Sequence, residues 1–205
     1  MTKKRKPESE MMSYGYDPHL SEGAAKTPLF QTSTFVFKNS EEGKAHFHIA
    51  YGLRKKRKNE SVSLAYSRIN NPNAEIVEER LKIWDNAEAC AVFQSGMAAI
   101  TTTILEITKP NTLIMHSSPL YGGTDHFIKH VLPKYGIKSM YFDSFDTIDK
   151  IVNKKNIKYP NLKVSLVYIE SPANPTNSLV DIKKSKEIAN YFTNKKSKTY
   201  LAIDN

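Results

Sequence analysis

The apolar positions of the chain become regular from residue 74 onward. In residues 74–86, Ile76, Leu81 and Trp84 recur at helical spacing, and glutamates lie early in the segment, where the helix dipole favours negative charge. This pattern predicts a helix over residues 74–86.

Short apolar runs then alternate with helical patterns to the end of the chain. Runs of four to eight residues, rich in Val, Ile, Leu and aromatic residues, are typical of buried strands. Strand and helix alternating at this pitch predict an α/β fold with a mostly parallel sheet and helices on both faces. The predicted strands are 90–93, 112–117, 137–142, 163–170 and 199–204, and the predicted helices are 95–108, 123–135 (ended or kinked at Pro133), 145–155 and 182–194.

The first third of the chain is less regular. Residues 1 to about 26 form a polar arm, the following stretch alternates enough to be partly extended, and about 40–73 is an irregular loop region. We therefore predict an N-terminal arm and loop region over 1–73 and an α/β domain over 74–205.

Composition is typical of a protein with a sizeable core. Of 205 residues, 40% are hydrophobic and 10% aromatic. The lone cysteine, Cys90, cannot form an internal disulfide, which fits a reducing compartment. No apolar segment follows the basic N-terminus as in a secretory signal, and no run approaches the length of a membrane span. These features predict a soluble, cytoplasmic protein.

The net charge of +9 arises from two short runs. Lys3–Lys6 and Arg54–Lys58 carry nine positive charges, which equals the whole excess. No basic helix face with interleaved aromatic residues is visible, so nucleic acid is not the favoured partner. Nucleic-acid binding through these runs stays open as a weaker alternative, and it would be steeply salt-dependent.

Candidate functional residues lie where predicted strands end. Ser95 precedes a helix as an N-cap, and the free N–H groups that follow can bind an anion. Tyr121, before Gly122 and Gly123, offers an aromatic face at a turn where a ligand can approach the backbone. An ordinary capped helix and a tight turn are the competing interpretations.

Two further segments add polar groups. Glu170 and Asn174 follow the longest predicted strand, and Asp204 ends the last one. Tyr66 and Arg68 lie together in a loop, where arginine suits a phosphate but is usually only solvated. An anion cradle, an aromatic platform, an amide and a carboxylate together match what pyridoxal 5'-phosphate (PLP) presents: a phosphate, a flat ring and a protonated ring nitrogen. No metal site is predicted.

Five ordered motifs carry a resemblance to a known family. The chain resembles the cystathionine γ-synthase/γ-lyase (transsulfuration, Cys/Met metabolism) family of PLP-dependent enzymes from about residue 27 to the end. The motifs are YSR at 66–68, SGMAA at 95–99, LYGGT at 120–124, ESPANPT at 170–176 and AIDN at 202–205. The implied fold is the large domain of a fold type I PLP-dependent transferase.

The resemblance implies a role for each matching residue. Ser95, Gly96 and Met97 would hold the cofactor phosphate, Asn174 would bond the ring oxygen, and Asp204 would pair with the ring nitrogen. Tyr121 would stack on the ring and assist proton movement, as the one catalytic residue present, and Glu170 would support the site. Tyr66 and Arg68 would reach the phosphate of a neighbouring subunit's cofactor in a homodimer or tetramer with shared active sites.

Three departures from the family pattern matter. Residues 50–64, with the basic run, resemble an insertion. Gly123 stands where methionine γ-lyases tend to carry a cysteine, which makes that activity a weaker expectation. The lysine that forms the Schiff base with the cofactor follows the aspartate strand in this family, and no lysine of this chain lies in such a context. We therefore expect an N-terminal fragment, truncated before the small C-terminal domain and inactive alone.

Two functional readings follow. The first is a PLP-dependent enzyme acting on a small amino-acid substrate, either a sulfur amino acid or an activated homoserine, by γ-replacement or γ-elimination. The sequence does not show whether the activity is that of a γ-synthase, a γ-lyase or a β-lyase. The second reading is a non-catalytic remnant or an interaction module.

Overall fold

Four apolar runs in the second half of the chain form a parallel sheet in a computed structural model, which describes residues 6–58, 60, 62–195 and 197–205. The chain divides into two compact units, Met1–Val92 and Phe93–Asn205. The sheet belongs to the second unit, and the predicted helix at 74–86 belongs to the first. The boundary predicted after residue 73 thus lies ahead of the division between these units.

The order of the strands reverses in the middle of the sheet. The strands are β1 (Thr112–His116), β2 (Lys138–Tyr141), β3 (Lys163–Glu170) and β4 (Tyr200–Asp204). They lie in the order β2-β1-β3-β4, and all neighbours are parallel. Strand β2 therefore lies on one side of β1, and the later strands β3 and β4 lie on the other side. In open α/β sheets, ligands bind outside the carboxyl ends of the strands at such a switch point.

Both faces of the central strands β1 and β3 are buried against helices, which explains why these two strands are nearly continuous apolar runs. Leu113 and Met115 face one hydrophobic cluster, whereas Ile114 faces the other. A register shift in β3 leaves Ser165 unpaired, and its hydroxyl donates to the carbonyl oxygen of Leu113 at 3.4 Å.

Helices of the second unit cover both faces. They are α4 (Gly96–Ile107), α5 (Gly122–His126), α6 (Ile148–Lys158) and α7 (Ile182–Phe192). The buried side chains of α6 and α7 pack on one face of the sheet, and those of α4 pack on the other face. Side-chain caps begin three of these helices: the side chains of Ser95, Thr147 and Asp181 each accept a hydrogen bond from a backbone N–H three residues on.

The first unit contains three α-helices within its described residues: α1 (Pro7–Glu10), α2 (Ser40–Ala50) and α3 (Pro72–Trp84). The helix predicted at 74–86 is confirmed as α3. A single antiparallel bridge joins Thr34 to Tyr66, so the expected partly extended stretch is mostly irregular. Lys3–Arg5 of the first basic run lie outside the described residues.

Three sequence predictions need correction. The predicted strand at 90–93 is wrong, because these residues are irregular and Val92 and Phe93 are exposed, with no described strand beside them. The region 40–73 is not wholly irregular: Asn39 caps α2 by accepting from Glu42 N at 2.9 Å. The single helix predicted at 123–135 is divided into α5, a π-helical turn at Phe127–Val131 and a 3₁₀ turn at Leu132–Tyr135.

Within the described part of the chain, no helix is long and apolar enough to cross a membrane.

A buried histidine at the end of β1 makes stability depend on pH. His116 is 2% exposed, and its Nδ1 donates to the carbonyl oxygen of Ser117 at 2.8 Å. Burial lowers the pKa of His116 below its ordinary value. The unfolded chain therefore binds this proton more readily than the folded chain as the pH falls through about 6.5. The stabilising contribution is present above that pH and is lost below it.

We predict that His116→Gln reduces the pH dependence of unfolding between neutral and mildly acidic pH. The expected difference is up to about 1.4 kcal/mol per pH unit, the limit for one proton. Urea denaturation followed by circular dichroism, at several pH values, measures it. The exposed His130 gives the control, His130→Gln, which should leave the pH dependence unchanged. Equal pH dependence in wild type and His116→Gln would contradict the prediction.

Candidate functional site

A cleft of about 470 Å³ opens at the carboxyl ends of the strands, where the strand order reverses. Its walls come from the start of α4, the β1–α5 loop, the loop after β3 and the end of β4. Six of the eight residues predicted to bind cofactor line it, all within the second unit. The lining residues are Ser95, Gly96, Met97, Ile100, Tyr121, Glu170, Pro172, Asn174, Asp204 and Asn205.

The first turn of α4 supplies hydrogen-bond donors to the cleft. Ser95 adopts an extended backbone, and its Oγ accepts from Ala98 N at 3.1 Å. Among the described residues, the N–H groups of Gly96 and Met97 have no recorded acceptor. They line the cleft at the positive end of the helix dipole, which is the arrangement that binds a phosphate or another anion.

The carboxylate of Glu170 joins two of the cleft's loops. This side chain ends β3 and is only 4% exposed. Oε2 accepts from Tyr121 N at 2.6 Å, and Oε1 accepts from Asn174 N at 2.7 Å. Because each oxygen binds a backbone N–H, the buried charge is compensated and the two loops are held at a fixed separation.

Tyr121 presents its ring at the cleft and is 42% exposed. The following turn depends on a glycine: a Cβ at Gly123 would lie 2.7 Å from Tyr121 Cε1 and 3.0 Å from Met97 Sδ. The first distance is shorter than real Cβ contacts allow. A side chain at this position would therefore displace the tyrosine ring.

Asp204 brings a carboxylate to the same cleft from β4. Its Oδ2 accepts a hydrogen bond from the phenol of Tyr168 at 2.7 Å. Burial, and then the hydrogen bond to Asp204 and the charge of that carboxylate, raise the pKa of Tyr168 far above its ordinary value. Tyr168 thus stays a protonated donor, and Asp204 retains a second oxygen for a ligand.

Tyr66 and Arg68 belong to the first unit. The guanidinium carbon of Arg68 lies 5.6 Å from the centre of the Tyr66 ring, a cation–π contact. Their predicted approach to a cofactor phosphate in a neighbouring subunit stays a prediction.

Sequence reasoning missed Tyr168 and understated Glu170. The sequence predicts a supporting role for Glu170 and no partner for either of its oxygens. It does not predict the contact of Tyr168, because that contact depends on the pairing of β3 with β4. The signal available was spacing: Tyr168 and Glu170 are two residues apart in a strand and share one face.

Comparison with known proteins bears directly on the family. A family model described as Cys/Met metabolism PLP-dependent enzyme matches residues 8–205. An L-methionine gamma-lyase of Treponema denticola is 36% identical over 167 residues, which are 82% of this chain and 38% of that protein. An O-acetyl-L-homoserine sulfhydrylase of Leptospira meyeri is 28% identical over 205 residues, which are 100% of this chain and 42% of that protein. The chain thus spans about two fifths of the length of these relatives.

A solved structure supports the fold. A putative O-acetylhomoserine (thiol)-lyase of Campylobacter jejuni, which carries N'-pyridoxyl-lysine-5'-monophosphate, superposes with a TM-score of 0.78 at 24% identity. The superposition covers 98% of this chain and 44% of that one, which agrees with the large domain of a PLP-dependent enzyme. The predicted fold class and family resemblance are confirmed. The chain belongs to the family of PLP-dependent enzymes of cysteine and methionine metabolism.

Proposed function

We propose that the chain forms the cofactor-binding part of a transsulfuration-type enzyme. Its substrate would be a sulfur amino acid or an activated homoserine, changed by γ-replacement or γ-elimination. The observation that carries this proposal is the convergence of a helix N-terminus, an exposed aromatic ring and a carboxylate in one cleft. These three groups complement a phosphate, a flat ring and a protonated ring nitrogen.

The residues of the cleft fit PLP. The N–H groups of Gly96 and Met97, with Ser95, would hold the phosphate, as anions bind at helix N-termini. Apart from the chain neighbours of Gly96 and the backbone of its own helix, no described atom lies within 4 Å of the position of a Cβ on this residue. Packing therefore does not require glycine there, whereas close approach of a ligand to the backbone would.

The remaining groups would orient the ring. Tyr121 would stack against it, Asn174 would donate to its phenolic oxygen, and Asp204 would accept from its nitrogen. Bound PLP supplies an electron sink for the α-carbon of an amino-acid substrate. The Asp204 carboxylate would favour the protonated form of the ring nitrogen, and the Tyr121 hydroxyl would carry a proton near the substrate.

A lysine is the group that this cleft does not provide. The residues lining it, within the described part of the chain, include none. The second candidate function is cofactor binding without catalysis, or an interaction role. Cofactor binding alone would use the same cleft and would show no turnover.

The specific reaction, the oligomeric state and the location of the protein are part of the same proposal. The relatives are named for different activities, gamma-lyase and sulfhydrylase, so they support the transsulfuration class without selecting one reaction. We propose a homodimer or tetramer in which Tyr66 and Arg68 of one subunit serve the neighbouring phosphate. A cytoplasmic location is supported by the single Cys90.

We predict that Asp204→Asn weakens binding of pyridoxine 5'-phosphate about tenfold or more, because a charge-assisted hydrogen bond to the ring nitrogen is lost. Pyridoxine 5'-phosphate has no aldehyde, so it does not react with the many surface lysines. Equilibrium dialysis measures the dissociation constant. The matched control is Asp149→Asn on the exposed face of α6, which should bind as the wild type does. Equal affinity in wild type and Asp204→Asn would count against the proposed pairing.

We predict that Glu170→Gln loosens the cleft without unfolding the sheet. A glutamine offers only one acceptor oxygen, so one of the two backbone N–H groups loses its partner, at a cost of about 1.5–3 kcal/mol. Hydrogen exchange should show lost protection at Tyr121 N or Asn174 N and unchanged protection within β1. The control is Glu106→Gln on the exposed side of α4. Unaltered protection at both amides in Glu170→Gln would contradict the proposed clamp.

A further inference from the structure

A buried phenol lies beneath the cleft at the Asp204 carboxylate. Tyr168 is 3% exposed, and its hydroxyl donates to Asp204 Oδ2 at 2.7 Å. It belongs to the hydrophobic cluster on the α4 face of the sheet. A buried hydroxyl needs a partner, and here the partner is a residue of the proposed cofactor site.

Strand pairing fixes this contact. In the β3–β4 ladder, Tyr168 is opposite Ala202, and Glu170 is opposite Asp204. Residues two apart in a strand share a face, so all four lie on the α4 side of the sheet. Ala202 is small, which leaves room beside it for the tyrosine ring to extend along the strand to the next pair.

The two neighbouring carboxylates have different partners. Both oxygens of Glu170 accept from backbone N–H groups. Asp204 accepts from Tyr168 through Oδ2, and among the described residues no donor is recorded for Oδ1. A carboxylate held by one oxygen cannot turn freely, so the position of the other oxygen is fixed as well.

The Tyr168 hydroxyl remains protonated and therefore remains a hydrogen-bond donor. Burial, the hydrogen bond to Asp204 and the charge of that carboxylate together raise the pKa of Tyr168 far above its ordinary value. The hydroxyl therefore keeps its proton throughout the physiological range.

We propose that Tyr168 is a positioning residue that holds Asp204 so that its free oxygen accepts from the protonated ring nitrogen of the cofactor. This inference rests on the proposed function and deepens it. Tyr168 does not touch the ring; it acts through the orientation of Asp204. Removing the hydroxyl should therefore change the protonation of the bound ring as well as its affinity.

The test uses Tyr168→Phe with pyridoxine 5'-phosphate labelled with ¹⁵N in the ring. Dialysis gives the dissociation constant, and the ¹⁵N chemical shift gives the protonated fraction of the bound ring. We expect about tenfold weaker binding and a smaller protonated fraction at neutral pH. The matched control is Tyr159→Phe, which removes a phenol that donates to the carbonyl oxygen of Ser139 at 3.3 Å. It should leave both readouts unchanged.

A double-mutant cycle with Asp204→Asn separates positioning from packing. If Tyr168 acts through Asp204, Tyr168→Phe should have little further effect in the Asp204→Asn background. An equal loss in both backgrounds, or an unchanged ¹⁵N shift in Tyr168→Phe, would overturn the inference and leave the proposed function standing. No binding by the wild-type protein would overturn the proposed function itself.

Discussion

The buried carboxylate of Glu170 is the interaction on which the candidate site depends. A charge with so little exposure is tolerated only when its oxygens find donors, and here both donors are backbone N–H groups at Tyr121 and Asn174. The loops after β1 and β3 are consequently joined through one side chain. Since these strands are neighbours at the point where the strand order reverses, the clamp holds two walls of the cleft in place.

The pairing of β3 with β4 places two carboxylates next to each other at the cleft. Glu170 and Asp204 are opposite each other in neighbouring strands, yet their partners differ. Both oxygens of Glu170 accept from the backbone, whereas Asp204, which lines the cleft, accepts from Tyr168 through Oδ2 and has no donor at Oδ1 among the described residues. Across the cleft, the N–H groups of Gly96 and Met97 lie at the positive end of the α4 helix dipole. One small region thus offers donors for an anion and an acceptor for a cation, as the family's cofactor requires.

Local chemistry explains which parts were predictable from the sequence. Strands β1 and β3 are nearly continuous apolar runs, and the Ser95 cap follows from residue type and position, so neighbouring residues in the sequence predict both features. The strand predicted at 90–93 failed because an apolar run becomes a strand only beside a partner. Helix α2 lies in the region predicted to be irregular, and its cap Asn39 lies in the preceding stretch, which is predicted to be partly extended. The Tyr168–Asp204 bond joins residues 36 positions apart, and only the register of β3 and β4 reveals it.

A crystal structure of the protein with PLP or pyridoxine 5'-phosphate bound would show whether the cleft is a cofactor site. We expect phosphate oxygens on the N–H groups of Gly96 and Met97, and a ring nitrogen within hydrogen-bonding distance of Asp204 Oδ1. The Glu170 carboxylate and the Tyr168 hydroxyl should keep their partners in that complex. A phosphate bound away from α4, for example at the basic run Arg54–Lys58, or a ring nitrogen facing away from Asp204, would rule out this cofactor site.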